Sequence, residues 1–109
     1  MTFRVTVLRL ARIDVDSIFE WIRRRSEVGA TAWYDSFNTV IGKIADQAES
    51  SALAPESDLI GIPLRQRLFR TRHGRHYRIL FTVTDNEVRI LRVRGPGQPP
   101  VQKSDLPEY

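Results

Sequence analysis

The sequence contains no cysteine and only one methionine, and nearly all of its basic residues are arginine. Without cysteine, neither a disulfide framework nor a thiolate metal site can form. A long apolar run is also missing. From Phe3 to Val7 charged and polar side chains alternate with apolar ones, unlike a secretion signal or a membrane span. We therefore expect a protein of the reducing cytoplasm, with no membrane contact.

The common catalytic signatures are absent too. There is no glycine-rich phosphate loop, no nucleophile elbow and no cluster of metal-ligating residues, so we expect neither a metal nor another cofactor. Two histidines three apart, His73 and His76, are too few for a metal site. His76 lies among arginines and is a candidate general acid or base, although we favour the simpler interpretation of a solvated histidine in a turn.

The positive charge is concentrated in one part of the chain. Residues 64–94 hold nine arginines against Asp85 and Glu87, whereas residues 1–63 carry a small acidic excess. Codon bias would explain why arginine replaces lysine, but it does not explain why the charges gather in one region. This concentration predicts a surface for a polyanion or an acidic partner.

Hydrophobic periodicity predicts one α+β domain over residues 1–109, in which residues 95–109 are a proline-rich tail. Residues 12–25 and 27–49 carry apolar side chains at spacings of three and four, which predicts a two-helix hairpin with Ser26 as the N-cap of the second helix. Alternating segments predict one strand before the hairpin, at residues 2–8, and three strands after a loop at 51–63, namely 64–72, 76–84 and 87–94.

Large apolar side chains recur on one face of each predicted helix, and we assign them to packing rather than to stacking with nucleic-acid bases. In the first helix the stripe consists of Val15, Ile18, Trp21 and Ile22. In the second helix it includes Trp33, Tyr34 and Phe37. Each helix therefore has one face to bury.

The dipeptide Asp85-Asn86 predicts a two-residue type I′ hairpin loop, because both residues tolerate a positive φ. This loop sets a register with four pairs: Thr84–Glu87, Val83–Val88, Phe81–Ile90 and Leu80–Leu91. The face expected against the helices then carries Tyr77, Ile79, Phe81, Val83, Val88 and Ile90. The opposite face, expected to be open, carries Arg78, Leu80, Thr82, Arg89, Leu91 and Val93. Arg92 and Arg94 fall at the rim of the core in this register, unless a bulge displaces them.

The order strand, helix, helix and three strands resembles the RelE/ParE family of toxins from type II toxin–antitoxin systems, which includes plasmid stabilisation proteins. The most recognisable segments are Tyr77–Phe81, the acidic turn at Asp85, and the strand Val88–Arg94. Ala11-x-x-Asp14 followed by Ile18-x-x-Trp21-Ile22 is also similar to the first helix of the family. The resemblance implies an α+β fold, with a helical hairpin on one face of a twisted, mainly antiparallel sheet, formed by the N-terminal strand and a three-stranded antiparallel meander. It also implies an antitoxin partner that wraps across the toxin.

The family has two toxic activities, and the resemblance leaves both open. RelE-like members are metal-independent endoribonucleases that cut mRNA in the ribosome, and ParE-like members act on DNA gyrase without catalysis. Arg78 matches the arginine that contacts mRNA phosphate in the RelE branch, which implies a catalytic role for Arg78. Counting onwards places Gln98 and Ser104 where that branch has a second arginine and a tyrosine, so the sequence departs from the cutting branch there.

The sequence favours ribosome-associated mRNA cleavage by a narrow margin, because the expected open face is basic. The candidate catalytic residues are Arg78 and His76, and the candidate nucleic-acid-binding residues are Arg75, Arg89 and Arg94. The alternatives are a gyrase inhibitor, or a nontoxic domain that only binds an antitoxin or nucleic acid. Because the arginine-bearing face is expected to be open, Arg78→Ala is expected to preserve the fold.

Overall fold

The computed structural model describes residues 2–71 and 75–107. It contains four strands and three α-helices, with two short 3₁₀ turns at Ala48–Ser50 and Lys103–Asp105. The strands and helices in chain order are β1 (Arg4–Val7), α1 (Arg9–Arg23), α2 (Glu27–Gln47), α3 (Ser57–Ile60), β2 (Arg65–Arg70), β3 (His76–Thr84) and β4 (Glu87–Arg94). No helix in these two ranges combines the length and the apolar character needed to cross a membrane.

The four strands form one sheet in the order β1-β4-β3-β2. The last three strands form the expected antiparallel meander. β1 lies beside β4 and runs parallel to it, so the sheet is mixed. The expected α+β architecture is therefore confirmed.

The helical hairpin is confirmed, with small differences at its ends. α1 begins at Arg9 and not at residue 12, because its N-cap residue is Leu8, which has no side-chain acceptor and gives no sequence signal. α2 begins as expected after Ser26, whose Oγ accepts a hydrogen bond from the N–H of Gly29 at 2.9 Å. It ends at Gln47, and the 3₁₀ turn takes up the rest of the segment expected to be helical.

Both helices pack on one face of the sheet, and most of the residues expected there are buried. Trp33 stacks on Phe37 with ring centroids 5.7 Å apart and meets Tyr77 edge-on. The strands contribute Tyr77, Ile79, Phe81, Val88, Ile90 and Val93, which define the helix face of the sheet. Two aromatic residues differ from the expectation, since Trp21 and Tyr34 are each nearly half exposed.

A β-bulge in β4 changes the expected register. The pairs Thr84–Glu87, Val83–Val88 and Phe81–Ile90 are confirmed, but Leu80 pairs with Arg92, so the expected Leu80–Leu91 pair is wrong. The extra residue reverses the alternation beyond it. Val93 consequently lies on the helix face and not on the opposite one, while Arg92 and Arg94 join Arg78 on the opposite face. In the hairpin loop Asp85 has a positive φ of 43° but Asn86 does not, so the expected type I′ geometry is wrong.

The face opposite the helices is not open as expected. The segment at 51–64 and the tail fold back onto it and bury a second, smaller apolar cluster. We call this side the arginine face; its strand residues are Arg78, Leu80, Leu91, Arg92 and Arg94. The covering apolar residues are Ala54, Ile60, Leu64 and Val101. Irregular segments carry no periodic pattern, which is why the sequence did not indicate this cover.

Candidate functional site

Arg78 lies on the arginine face, and carboxylate and amide oxygens engage both ends of its guanidinium. Nη1 donates to Oε1 of Glu56 and to Oε1 of Gln66, each at 2.9 Å, and Nη2 donates to Oε2 of Glu56. The Arg78 side chain is 24% exposed and that of Glu56 is 7% exposed. The resemblance-based candidate for phosphate contact is therefore an inward-facing member of an ion pair.

Glu56 is the acidic centre of this arrangement. Besides Arg78, it accepts a hydrogen bond from the backbone N–H of Val101 at 3.0 Å, which ties the tail to the segment before β2. The hydrogen bond from Arg78 outweighs the effect of burial and lowers the pKa of Glu56 to about 2. At neutral pH the pair is therefore fully charged.

Arg92 makes a second buried ion pair, with Asp14 of α1. Its Nε and Nη2 donate to the two Asp14 oxygens at 2.8 and 2.9 Å, and its Nη1 donates to the carbonyl of Asp105 at 2.7 Å. The hydrogen bond to Asp14 raises the pKa of Arg92. Asp14 also accepts the N–H of Val93 at 2.9 Å. β1 pairs with β4 only as far as Ile90. Beyond that point the Asp14 carboxylate accepts the Val93 N–H that a longer neighbouring strand would otherwise accept.

Arg94 is buried opposite Arg78, its partner in the β3–β4 register. Its Nη2 lies 3.3 Å from Oδ2 of Asp105 in the tail. Its Nε is buried and has no hydrogen-bond partner within residues 2–71 and 75–107. Two of the candidate residues, Arg78 and Arg94, are thus brought together, and acidic residues from the covering segments lie against both.

The other candidates lie elsewhere. Arg89 pairs with Glu87 near the hairpin loop and is 42% exposed. Arg75 is exposed, and its guanidinium lies 5.3 Å from the centre of the Trp21 ring on the helical side. His76 is exposed at the start of β3, where it pairs in register with Arg70. His73 lies outside the described residues.

Sequence reasoning missed the acidic partners of this face. In the sequence Asp14 fits only a helix pattern, and Glu56 lies in the segment predicted to be a loop. Among residues 2–71 and 75–107, no three histidine, aspartate or glutamate side chains lie close enough to share a metal ion. The arrangement can hold a folded surface together by ion pairs, but its deepest guanidiniums already have anionic partners.

A cleft of about 310 Å³ lies where α1 meets the beginning of the tail. It is lined by Trp21, Arg75, Tyr77, Pro96 and their neighbours. The Arg25 guanidinium lies 3.8 Å from the centre of the Trp21 ring, so two arginines flank this indole. Arg25 and Arg75, both exposed, therefore lie beside this cleft and not at the centre of the arginine face.

Comparison with protein families shows the family of this chain. Residues 5–98 match the family described as the ParE toxin of the type II toxin–antitoxin system, parDE. The chain belongs to the ParE toxin family. No curated protein sequence matches it. Membership of the ParE toxin family confirms the expected toxin relationship and implies an antitoxin partner.

Proposed function

We propose that this ParE-family chain inhibits growth by binding its target without catalysis, and that the target is DNA gyrase. The sequence alone slightly favoured mRNA cleavage because it placed Arg78 on an open basic face. In the folded chain Arg78 is paired with Glu56, and this supports gyrase inhibition, the other activity that the family resemblance implies.

The observation that carries this proposal is the Glu56–Arg78 ion pair. To hold mRNA phosphate, Arg78 would have to leave a buried carboxylate and expose it unpaired, and such an exchange costs several kcal/mol. Of the two neighbouring arginines, Arg92 is held by two hydrogen bonds to Asp14, and Arg94 makes a looser ion pair with Asp105. A ribonuclease needs donors prepared for the phosphate, and the guanidiniums of Arg78 and Arg92 already have acceptors.

The tail positions that depart from the cutting branch support the same proposal. Gln98 uses its side-chain Oε1 to accept the N–H of Gly95, which closes the turn where the tail begins. Ser104 lies exposed in the 3₁₀ turn. Gln98 thus stabilises local backbone, and neither side chain supplies the cationic charge of the arginine that the cutting branch has after its last strand.

mRNA cleavage remains a second candidate because of one observation. His76 and Arg70 are exposed side by side at the far end of the sheet, beyond the covering segments. An imidazole next to a guanidinium is a workable general base for a ribose hydroxyl. In this second proposal Arg78 is replaced as the phosphate contact by Arg70.

Two assays on the same purified chain separate these proposals. We expect it to inhibit supercoiling by DNA gyrase and to leave mRNA intact in a toeprint of stalled ribosomes. Cut mRNA with undisturbed supercoiling would reverse the choice. His76→Ala is the matched variant, because it removes the candidate base from an exposed position and should leave gyrase inhibition unchanged. If expression without an antitoxin leaves growth unaffected, both toxic activities are excluded in favour of a nontoxic binding domain.

A further inference from the structure

The half-exposed indole of Trp21 borders two clefts near the joint of the helical hairpin. One is the cleft of about 310 Å³ described above. The other, of about 410 Å³, lies where the end of α1 and the start of α2 meet Thr71 and the start of β3. Trp21, Arg75 and Tyr77 line both clefts. We call the larger one the indole cleft; its apolar lining also includes Ile22, Val28, Ala32 and Trp33.

The charged groups of the indole cleft are positive. Arg25 and Arg75 line it, and no aspartate or glutamate is among the described residues that do so. Neither arginine forms an ion pair within the two described ranges. Ser26 and Gly29, at the N-terminus of α2, also line the cleft, so the positive end of the helix dipole lies there, whereas Glu27 does not line it. The indole cleft therefore favours an anion.

A buried donor in the wall of this cleft has no acceptor. Trp33 is 1% exposed, and its Nε1 finds no hydrogen-bond partner in the part of the chain that the structure describes. A buried donor without a partner is unfavourable and calls for an explanation. Trp33 lines the indole cleft together with Ser36 and Thr71, which carry hydroxyl groups. The unpaired indole N–H thus indicates a ligand with an acceptor oxygen, independently of the charge of the cleft.

We propose that the indole cleft binds a small aromatic carboxylate. The carboxylate would lie beside the guanidiniums of Arg25 and Arg75 and accept charge-assisted hydrogen bonds from them. The flat ring system would pack among the apolar lining residues, and an oxygen at its far end would accept the Trp33 N–H. A volume of about 410 Å³ lies within the usual range of sites for small organic ligands.

Nucleic acid is the main competing occupant of a cationic aromatic site. Bases stack on open aromatic faces, but the Arg25 guanidinium already lies 3.8 Å from the centre of the Trp21 ring. Two guanidiniums are also few for a phosphate chain, which is bound by several cations in a row. The apolar lining and the unpaired Trp33 donor favour one compact ligand instead. The proposal does not depend on whether the target of the toxin is gyrase or mRNA, because the arginine face is not part of this site.

The test uses the full chain labelled with ¹⁵N and the probe 6-acetyl-2-naphthoate, which carries a carboxylate at one end and a ketone oxygen at the other. The chain has two tryptophans, so two indole N–H signals are expected, and Trp21→Phe assigns them. We expect saturable binding with a Kd of about a millimolar or below. Both indole signals should move, and that of Trp33 should move downfield as its N–H gains an acceptor.

Two analogues of the probe separate the contributions of the ligand. The carboxamide keeps the rings and the ketone but lacks the charge, and it should bind about tenfold more weakly or worse. The analogue without the acetyl group keeps the carboxylate and lacks the far oxygen. It should still move the signal of Trp21, but it should not produce the downfield shift of Trp33.

A set of variants tests the contribution of the protein. Arg25→Gln combined with Arg75→Gln removes both guanidiniums and should weaken binding of the probe about tenfold or more. Arg24→Gln is the matched control, because Arg24 is exposed at the same end of α1 and lines neither cleft, and it should bind as the parent does. Thermal unfolding verifies that the variants fold, and Arg75→Gln alone replaces the double variant if that one does not.

Three outcomes would overturn the proposal. The first is the absence of saturable binding of the probe up to about 10 mM. The second is equal binding of the carboxamide by the parent, or of the probe by the double variant, or a Trp33 signal that the probe leaves in place. The third is a single-stranded oligothymidylate that moves both indole signals and displaces the probe. Failure of the gyrase assay would leave all three unaffected.

Discussion

The two faces of the sheet are held by different forces. On the helix face, rings and branched side chains from both helices and all four strands form a continuous apolar core around Trp33. On the arginine face, a smaller apolar cluster is surrounded by three ion pairs, formed by Arg78, Arg92 and Arg94. The first face excludes water by packing alone, whereas the second encloses charge that must be paired to be buried.

This difference separates what holds the fold from what limits its chemistry. Packing on the helix face changes little with pH near neutrality, because burial raises the pKa of its ionisable ring, Tyr77, above the ordinary value of 10. The ion pairs of the arginine face connect segments that are distant in the chain, and each pair fixes an arginine that could otherwise bind a phosphate. The face that resembles a ribonuclease surface by composition is thus the one whose arginines are already occupied.

The largest effect should come from removing the ring at the centre of the helix face. Trp33→Ala should destabilise the chain by about 3–5 kcal/mol, because the ring is 1% exposed and contacts Phe37, Phe69 and Tyr77. Urea unfolding followed by far-ultraviolet circular dichroism measures it. Tyr34→Ala is the control from the adjacent position, where the ring is 45% exposed, and it should cost less than half as much. Equal losses would mean that the core is not centred on Trp33.

The second effect tests whether the arginine face is held by charge. Arg78→Ala should cost about 3 kcal/mol, because it leaves the Glu56 carboxylate buried without its cation. This reverses the expectation drawn from the sequence, in which an open face would tolerate the change. Urea unfolding again measures it, with Arg89→Ala as the control, since the Arg89–Glu87 pair is exposed and should contribute less than about 1 kcal/mol.

A double variant sharpens this test. Glu56→Leu combined with Arg78→Met removes both charges and keeps apolar volume, so it should recover most of the stability lost in Arg78→Ala. Glu56→Leu also leaves the Val101 N–H without its acceptor, so some loss of stability should remain. A double variant as unstable as the single one would mean that the unpaired charge is not the main cause of the loss. If Arg78→Ala is as stable as the parent, the ion pair carries no stability and the argument against mRNA cleavage loses its support.

A third, smaller effect concerns pH. The folded pKa of Glu56 is about 2 against an ordinary value of 4.5, so its stabilising contribution is complete above pH 4.5 and declines as the pH falls towards 2. Between pH 5 and pH 3 the parent should lose about 2 kcal/mol more than Glu56→Gln does. Urea unfolding at the two pH values measures the difference. An equal loss in both proteins would assign acid sensitivity to other carboxylates.

The helix face was predictable because each of its elements carries a local pattern. Apolar spacing identified both helices, and the alternation of β3 with the turn at Asp85 placed Tyr77, Ile79 and Phe81 on the correct side. The register was correct up to the bulge, because alternation is local and a bulge depends on what the two strands pack against.

The arginine face was not predictable for a related reason. Its cover consists of irregular segments, and the charges that pair across it, such as Glu56 with Arg78, lie far apart in sequence with no spacing to connect them. The four candidate arginines share a charge but not a location. Arg78 and Arg94 are neighbours in the sheet, whereas Arg75 and Arg89 lie outside this pair.

The smallest effect concerns a feature that the sequence did indicate. Ser26→Ala should destabilise the chain by about 1 kcal/mol, because it removes the acceptor of the Gly29 N–H at the start of α2. Ser26→Asp should restore the loss, since aspartate also caps helices and its charge suits the helix N-terminus. If the alanine and aspartate variants are equally stable, the N-cap at Ser26 contributes nothing to the stability of the chain. The position of the hairpin joint is then a consequence of packing, and the helix face is held by its apolar core alone.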